Sequence, residues 1–182
     1  LLVALAIKLE SPGGPVIYRQ ERIGLDRRRG QPGAPSGTRR PERRRAPGYG
    51  QTFMLCKFRT MVPDAEKLTG PVWASKRDPR VTRVGRVLRR TRLDEIPQLF
   101  NVIRGDMRLI GPRPERYHFV EQLCLNIPTY AERLKVPPGI TGLAQVEREY
   151  DSCVNDVRRK VMYDLHYVRN WSRLLDIKIL IK

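Results

Sequence analysis

Between residues 26 and 50 the chain can build no core. This stretch carries eight arginines (27, 28, 29, 39, 40, 43, 44 and 45) against Asp26 and Glu42, with five glycines, four prolines and almost no apolar side chain. Such a composition cannot bury enough surface to offset the entropy of ordering it. Whatever folds must close up on either side. The flanking stretches, 16–24 and 51–61, both read as strands.

The chain has 182 residues and a formal net charge of +17, of which the basic stretch holds +6 and the remainder +11. A charge of this size calls for an anionic partner: nucleic acid, an acidic membrane surface or a phosphate-rich substrate. The length suits one domain, or two small ones. A hydrophobic fraction of 40% excludes a wholly disordered basic protein. No run of about 18 apolar residues exists, so no segment spans a bilayer as a single helix. Cys56, Cys124 and Cys153 are odd in number and far apart, without a CxxC pair. They argue against a disulfide scaffold or a structural zinc site, and for a reducing compartment.

Both ends are apolar. Leu1 to Ile7 read as the tail of a longer hydrophobic helix, or as a short core helix or a signal-peptide remnant, stopped by Ser11-Pro12-Gly13-Gly14-Pro15. Residues 171–182 form an apolar helix with basic residues interspersed, and Tyr167 and Trp171 near its start suit a membrane interface. An ordinary C-terminal core helix would carry the same pattern.

In the second strand, Lys57 and Arg59 share one face by the two-residue period, roughly 6–7 Å apart. Two adjacent cations on a strand suit an anion between them, or a solvated face. Downstream, Thr91-Arg92-Leu93-Asp94-Glu95-Ile96-Pro97 has a capping-box spacing and a proline suited to a helix start. Both signals put Asp94 and Glu95 at a helix N-terminus, where the dipole and Arg89, Arg90 and Arg92 favour ionised carboxylates. An ionised carboxylate is a nucleophile for phosphorus and a ligand for magnesium, though an Asp-Glu pair is also a common helix cap. Arg113 lies between Pro112 and Pro114, which hold it extended, and a pre-stiffened arm loses little entropy on engaging a phosphate, though the segment also reads as a rigid turn before a helix starting near Glu115. The uncharged loop from Pro137 to Val146 either closes over a ligand or merely connects elements.

Taken in order, these segments resemble the bacterial sugar transferases, the monotopic phosphoglycosyl transferases. The resemblance rests on six blocks: Ser11 to Val16 with Arg19-Gln20-Glu21-Arg22-Ile23-Gly24; Lys57-Phe58-Arg59-Thr60-Met61; Leu93 to Leu99; Gly111-Pro112-Arg113-Pro114-Glu115; Pro138 to Val146; and Tyr167 to Ser172. It implies transfer of a sugar-1-phosphate from a nucleoside diphosphate sugar, a UDP-sugar above all, to polyprenyl phosphate. Such a step initiates extracellular polysaccharide or glycoconjugate synthesis at the cytoplasmic face of the bacterial inner membrane. The resemblance makes Asp94 the nucleophile of a covalent phosphosugar intermediate and associates Glu95, with Asp94, with Mg²⁺. Lys57, Arg59, Arg89 and Arg113 become the phosphate contacts, membrane lipid a partner, and a homo-oligomer is compatible with it. Residues 1–10 would end a truncated membrane-inserted helix, and 11–182 would form the catalytic domain with 26–50 as an insertion in place of a tight turn.

The competing readings are a basic nucleic-acid-binding module and a catalytically inactive membrane-surface scaffold. No zinc-finger spacing, RNP-type aromatic motif or heptad-flanked basic helix supports the first, and the intact Asp94-Glu95 pair argues against the second. The expected fold is α+β: a helix-rich single domain with a small antiparallel sheet, a membrane-associated N-terminal helix and a C-terminal interfacial helix. Helices are expected near 64–69, 82–91, 94–104, 115–125, 128–135, 152–169 and 171–181, the 152–169 helix from Val154, Val157, Val161, Leu165 and Val168 at helical spacing after the capping Ser152.

Overall fold

The computed structural model describes residues 2–26, 49–67, 70, 78–147 and 154–182. Most of the basic stretch and the expected cap Ser152 lie outside them. The described residues combine helices with small sheets. In chain order they are α1 (Leu2–Glu10), β1 (Ile17–Ile23), β2 (Thr52–Phe58), α2 (Arg83–Arg90), a 3-10 turn (Leu93–Glu95), α3 (Gln98–Ile103), β3 (Arg108–Ile110), α4 (Tyr117–Asn126), a 3-10 helix (Tyr130–Lys135), β4 (Gly139–Thr141), α5 (Leu143–Glu147), α6 (Val154–Arg169) and α7 (Arg173–Ile181). None of these helices is long and apolar enough to cross a membrane.

The chain divides into two compact units, Leu1–Gln20 with Leu55–Phe100 and Glu21–Met54 with Asn101–Lys182. β1 and β2 pair as a two-stranded sheet. The Arg59 amide donates to the Val16 carbonyl and the Gly24 amide to the Gln51 carbonyl, so the start of one strand meets the end of the other in antiparallel fashion.

In the first unit, Ile7 of α1, Leu55 of β2 and Leu88 of α2 are buried. Helix α2 begins where expected, because the Thr82 hydroxyl accepts from the Gly85 amide. A second cap comes from far away in sequence. Both carboxylate oxygens of Glu10, the last residue of α1, accept from the first amides of α2: Arg83 N at 2.6 Å and Val84 N at 2.7 Å. Burial opposes ionisation of Glu10, but these amides outweigh it and hold the carboxyl below its ordinary range.

The second unit is built on α6. Val157, Val161 and Leu165 recur at helical spacing and pack with Ile23, Val120, Leu123, Ile127, Tyr130 and Leu134 into one buried cluster. Ile110, Tyr167 and Ile179 form another. Strands β3 and β4 pair in parallel, Arg108 opposite Gly139 and Ile110 opposite Thr141. A parallel pair was not expected, and the 137–146 loop is therefore partly strand and helix. Two glycines allow it. A Cβ on Gly111 would sit 2.6 Å from the Pro137 carbonyl oxygen, and one on Gly139 would meet the backbone of Gly111.

Three expected helices need correction. The 94–104 helix starts only at Gln98, after Pro97, whose ring cannot lie within a helix interior; Asp94 and Glu95 sit before it on a 3-10 turn. Thr91 is not the cap of that helix but ends α2, its hydroxyl donating to the Val87 carbonyl. Residues 63–67 are a turn rather than helix, with Asp64 at φ 54°, and 128–135 is a 3-10 helix over Tyr130–Lys135. Elsewhere the expected helices appear with ends moved by one or two residues, α7 capped by the Ser172 hydroxyl on the Leu175 amide.

Candidate active site

Strand β2 carries Lys57 towards its end, and the chain continues through Arg59 and Thr60. Helix α2 lies directly on this stretch: a Cβ on Gly85 would approach the carbonyl carbon and Cα of Thr60 to 2.7 Å. The close approach brings Arg89 onto the strand, where its Nε donates to Thr60 Oγ1 at 2.9 Å.

Past α2 the chain reverses at Arg92, whose φ of 59° is left-handed. That conformation costs an arginine about 1 kcal/mol, and unusual backbone of this kind concentrates where a site needs it. The turn that follows buries two acids side by side, Asp94 at 6% exposure and Glu95 at 7%, with Leu93 and Ile96 on either side exposed. The Glu95 amide donates back to the Arg92 carbonyl, so backbone hydrogen bonding closes the turn. Lys57 Nζ lies 3.6 Å from Glu95 Oε1, and Arg92 Nη1 lies 3.9 Å from the same oxygen. A buried acid pair with cations in place is equipped to attract and turn a phosphate.

Arg59 is engaged differently. It is buried, its Nη2 donates to the Ser11 carbonyl, and its guanidinium lies so close to Gly14 that a Cβ there would collide with Nη1. The expected phosphate contact thus ties β2 to the Ser-Pro-Gly-Gly turn.

Lys57, Arg59, Arg89, Asp94 and Glu95 all belong to the first unit, and Arg113 to the second. Around Arg113 the second unit gathers a set of charges. Arg22 donates to the Pro114 carbonyl and to Glu115, each at 3.3 Å, and Lys160 lies 3.9 Å from Glu115. Burial alone would raise the Glu115 carboxyl; Lys160, Arg22, Arg133 and Arg113 outweigh it and keep it below the usual range. Arg133 donates to the Arg113 carbonyl at 2.8 Å.

Sequence reading missed Glu10, Thr60, Arg133 and Asp164. None of them gave a signal: Arg133, for instance, stands beside Glu132 and near Lys135 in an ordinary charged run.

Among the described residues, no group of three or more His, Cys, Asp or Glu side chains gathers to hold a metal. Asp94 and Glu95 remain as neighbouring hard oxygen donors. Two carboxylates, completed by substrate phosphates, suit Mg²⁺, which seldom occupies an all-protein cage. The residues present fit that ion.

The sequence matches the family model for bacterial sugar transferases over residues 40–182. Over 182 residues it is 42% identical to the UDP-N-acetylgalactosamine-undecaprenyl-phosphate N-acetylgalactosaminephosphotransferase of Aeromonas hydrophila, covering 100% of this chain and 37% of that protein. It is 41% identical over 189 residues to the UDP-glucose:undecaprenyl-phosphate glucose-1-phosphate transferase of Caulobacter vibrioides, covering 100% of this chain and 60% of that protein. A putative undecaprenyl-phosphate N-acetylgalactosaminyl 1-phosphate transferase of Bacillus subtilis is 48% identical over 131 residues, covering 72% of this chain and 59% of that protein. The chain thus spans between about a third and three-fifths of the length of these relatives. The chain belongs to the bacterial sugar transferase family.

Proposed function

We propose that the protein transfers a sugar-1-phosphate from a UDP-sugar to undecaprenyl phosphate through a phosphosugar held covalently on Asp94. The observation that carries this reading is the buried Asp94-Glu95 turn with Lys57 3.6 Å from Glu95. The relatives' names supply the substrate classes.

In the first half-reaction an Asp94 carboxylate oxygen forms a bond to the sugar-bearing phosphorus. The bond from that phosphorus to the bridging oxygen breaks, and the nucleoside monophosphate leaves with the electron pair. In the second, a phosphate oxygen of the polyprenyl phosphate attacks the same phosphorus. The Asp94–phosphorus bond breaks, restoring the carboxylate and releasing the polyprenyl-diphospho-sugar. Splitting one displacement into two lets a single site serve a soluble and a lipid substrate in turn. Lys57 and Arg89 offset the charge that develops on the transferring oxygens, and Arg113 contacts a substrate phosphate. Asp94 and Glu95 would hold Mg²⁺, which when bound neutralises phosphate charge.

A lipid substrate calls for a place at the inner membrane's cytoplasmic face. Leu2, Leu5 and Leu9 of α1 and Leu174, Ile177, Leu180 and Ile181 of α7 are exposed apolar residues suited to contact with lipid.

The test is to incubate the full-length protein with undecaprenyl phosphate and a panel of nucleotide sugars and to score nucleoside monophosphate. Lipid-dependent UMP release with one UDP-sugar is expected. Absence of release across the panel, from protein shown to be folded, would overturn the reading.

A further inference from the structure

Four consecutive carbonyls of the Gly-Pro-Arg-Pro-Glu segment are each held by a separate donor. The Pro112 carbonyl accepts from the Gly139 amide at 3.0 Å, and the Glu115 carbonyl from the Ile23 amide at 2.9 Å. Arg22 Nη1 donates to the Pro114 carbonyl at 3.3 Å, and Arg133 Nη2 to the Arg113 carbonyl at 2.8 Å. The bonds at Pro112 and Arg113 act on the peptide planes either side of the Arg113 Cα. Two fixed planes leave φ and ψ no freedom, so the direction of the Arg113 Cα–Cβ bond is set by Gly139 on one side and Arg133 on the other.

Arg133 is itself immobilised. Its exposure is 3%, and that of its partner Asp164 on α6 is 2%. Its Nε and Nη2 reach Asp164 Oδ2 at 2.9 and 2.7 Å, and its Nη1 donates to the Tyr130 hydroxyl at 2.8 Å. Burial favours the neutral form of Asp164 and the guanidinium opposes it. A buried ion pair is weak evidence for stability, because well-packed apolar residues of similar volume often serve as well or better. They could not, however, deliver a donor to a backbone carbonyl. A planar fork can hold a carboxylate along one edge and still aim another N–H outward, which an ammonium on a flexible stem cannot.

We infer that Arg133, locked by Asp164 and Tyr130, is a positioning residue that sets the orientation of Arg113 towards its phosphate. The inference rests on the reading of Arg113 as a phosphate contact, and predicts that Arg133 acts on turnover only through Arg113.

The experiment is a double-mutant cycle in the full-length enzyme. Arg133→Lys is made alone and with Arg113→Ala, with kcat, KM for the nucleotide sugar and thermal midpoint measured for each. Nucleotide-sugar affinity by calorimetry carries the same cycle where a rate falls below detection. Asp164→Asn, which keeps an acceptor for Arg133, serves if Arg133→Lys does not fold. Arg133→Lys is expected to lower kcat/KM at least tenfold beside Arg113 but less than twofold in Arg113→Ala, with the same fall in midpoint in both. A merely structural residue moves the midpoint and the rate alike in either background. Equal loss of kcat/KM in both backgrounds, with Arg113→Ala itself impaired, overturns the positioning role alone. A wild-type rate in Arg113→Ala overturns the phosphate reading and this inference together.

Discussion

Lys57 Nζ stands 3.6 Å from Glu95 Oε1, joining the end of β2 to the acidic turn that follows α2. The carboxylate is almost wholly buried and the ammonium largely so, and removing one partner of such a pair strands the other charge in a poor solvent. Lys57→Met should therefore lower kcat/KM by about two orders of magnitude, in line with loss of a preorganised donor. Lys57→Met combined with Glu95→Gln should lose much less than the two losses multiplied. Independent, multiplicative losses would show that the pair does not act as a unit.

The Glu10 carboxylate on the first amides of α2 makes a pH prediction. Its carboxyl is held below its ordinary value, so the folded state binds its proton less readily than the unfolded chain does. The stabilisation is fully present above the unfolded value and is lost as pH falls through the folded one. Thermal midpoints of wild type and Glu10→Gln, measured from pH 7 downward, should differ by a few degrees at neutrality and converge below the ordinary carboxylate range. A gap that persists unchanged into acid contradicts the cap.

Gly14 and Gly13 provide a matched pair. A Cβ on Gly14 collides with the Arg59 guanidinium, which the Ser11 carbonyl holds in place, whereas one on Gly13 meets only Pro63 Cγ at 3.8 Å. Gly14→Ala should cost about 1–3 kcal/mol, as overpacking does, and reduce activity. Gly13→Ala should stay within about 0.5 kcal/mol of wild type. Chemical denaturation and the UMP-release assay on both variants decide it, and equal tolerance would mean Arg59 can leave Gly14 without consequence.

What the sequence made legible was what short-range physics controls. Val157, Val161 and Leu165, at helical spacing in the sequence, mark the buried face of α6. Asp94 and Glu95 stood out by residue type, but the turn that carries them did not, because Pro97 suits either the inside edge or the outside of a helix start. The β3–β4 pair joins residues about thirty apart with only three residues per strand, too few to show a two-residue period. Glu10 caps a helix 73 residues downstream, and Arg133 meets a carboxylate 31 residues away. No local pattern encodes either contact; each follows from packing inside its own unit.

The most direct measurement of the central claim is the intact mass of the full-length enzyme after incubation with its UDP-sugar alone, without polyprenyl phosphate. The account predicts an adduct of one sugar-phosphate, mapped by peptide mass to Asp94, accompanied by UMP release stoichiometric with enzyme. Undecaprenyl phosphate should discharge the adduct, and Asp94→Asn should neither form it nor turn over. UMP release by Asp94→Asn at the wild-type rate, or turnover with no adduct at any time from milliseconds onward, would contradict it.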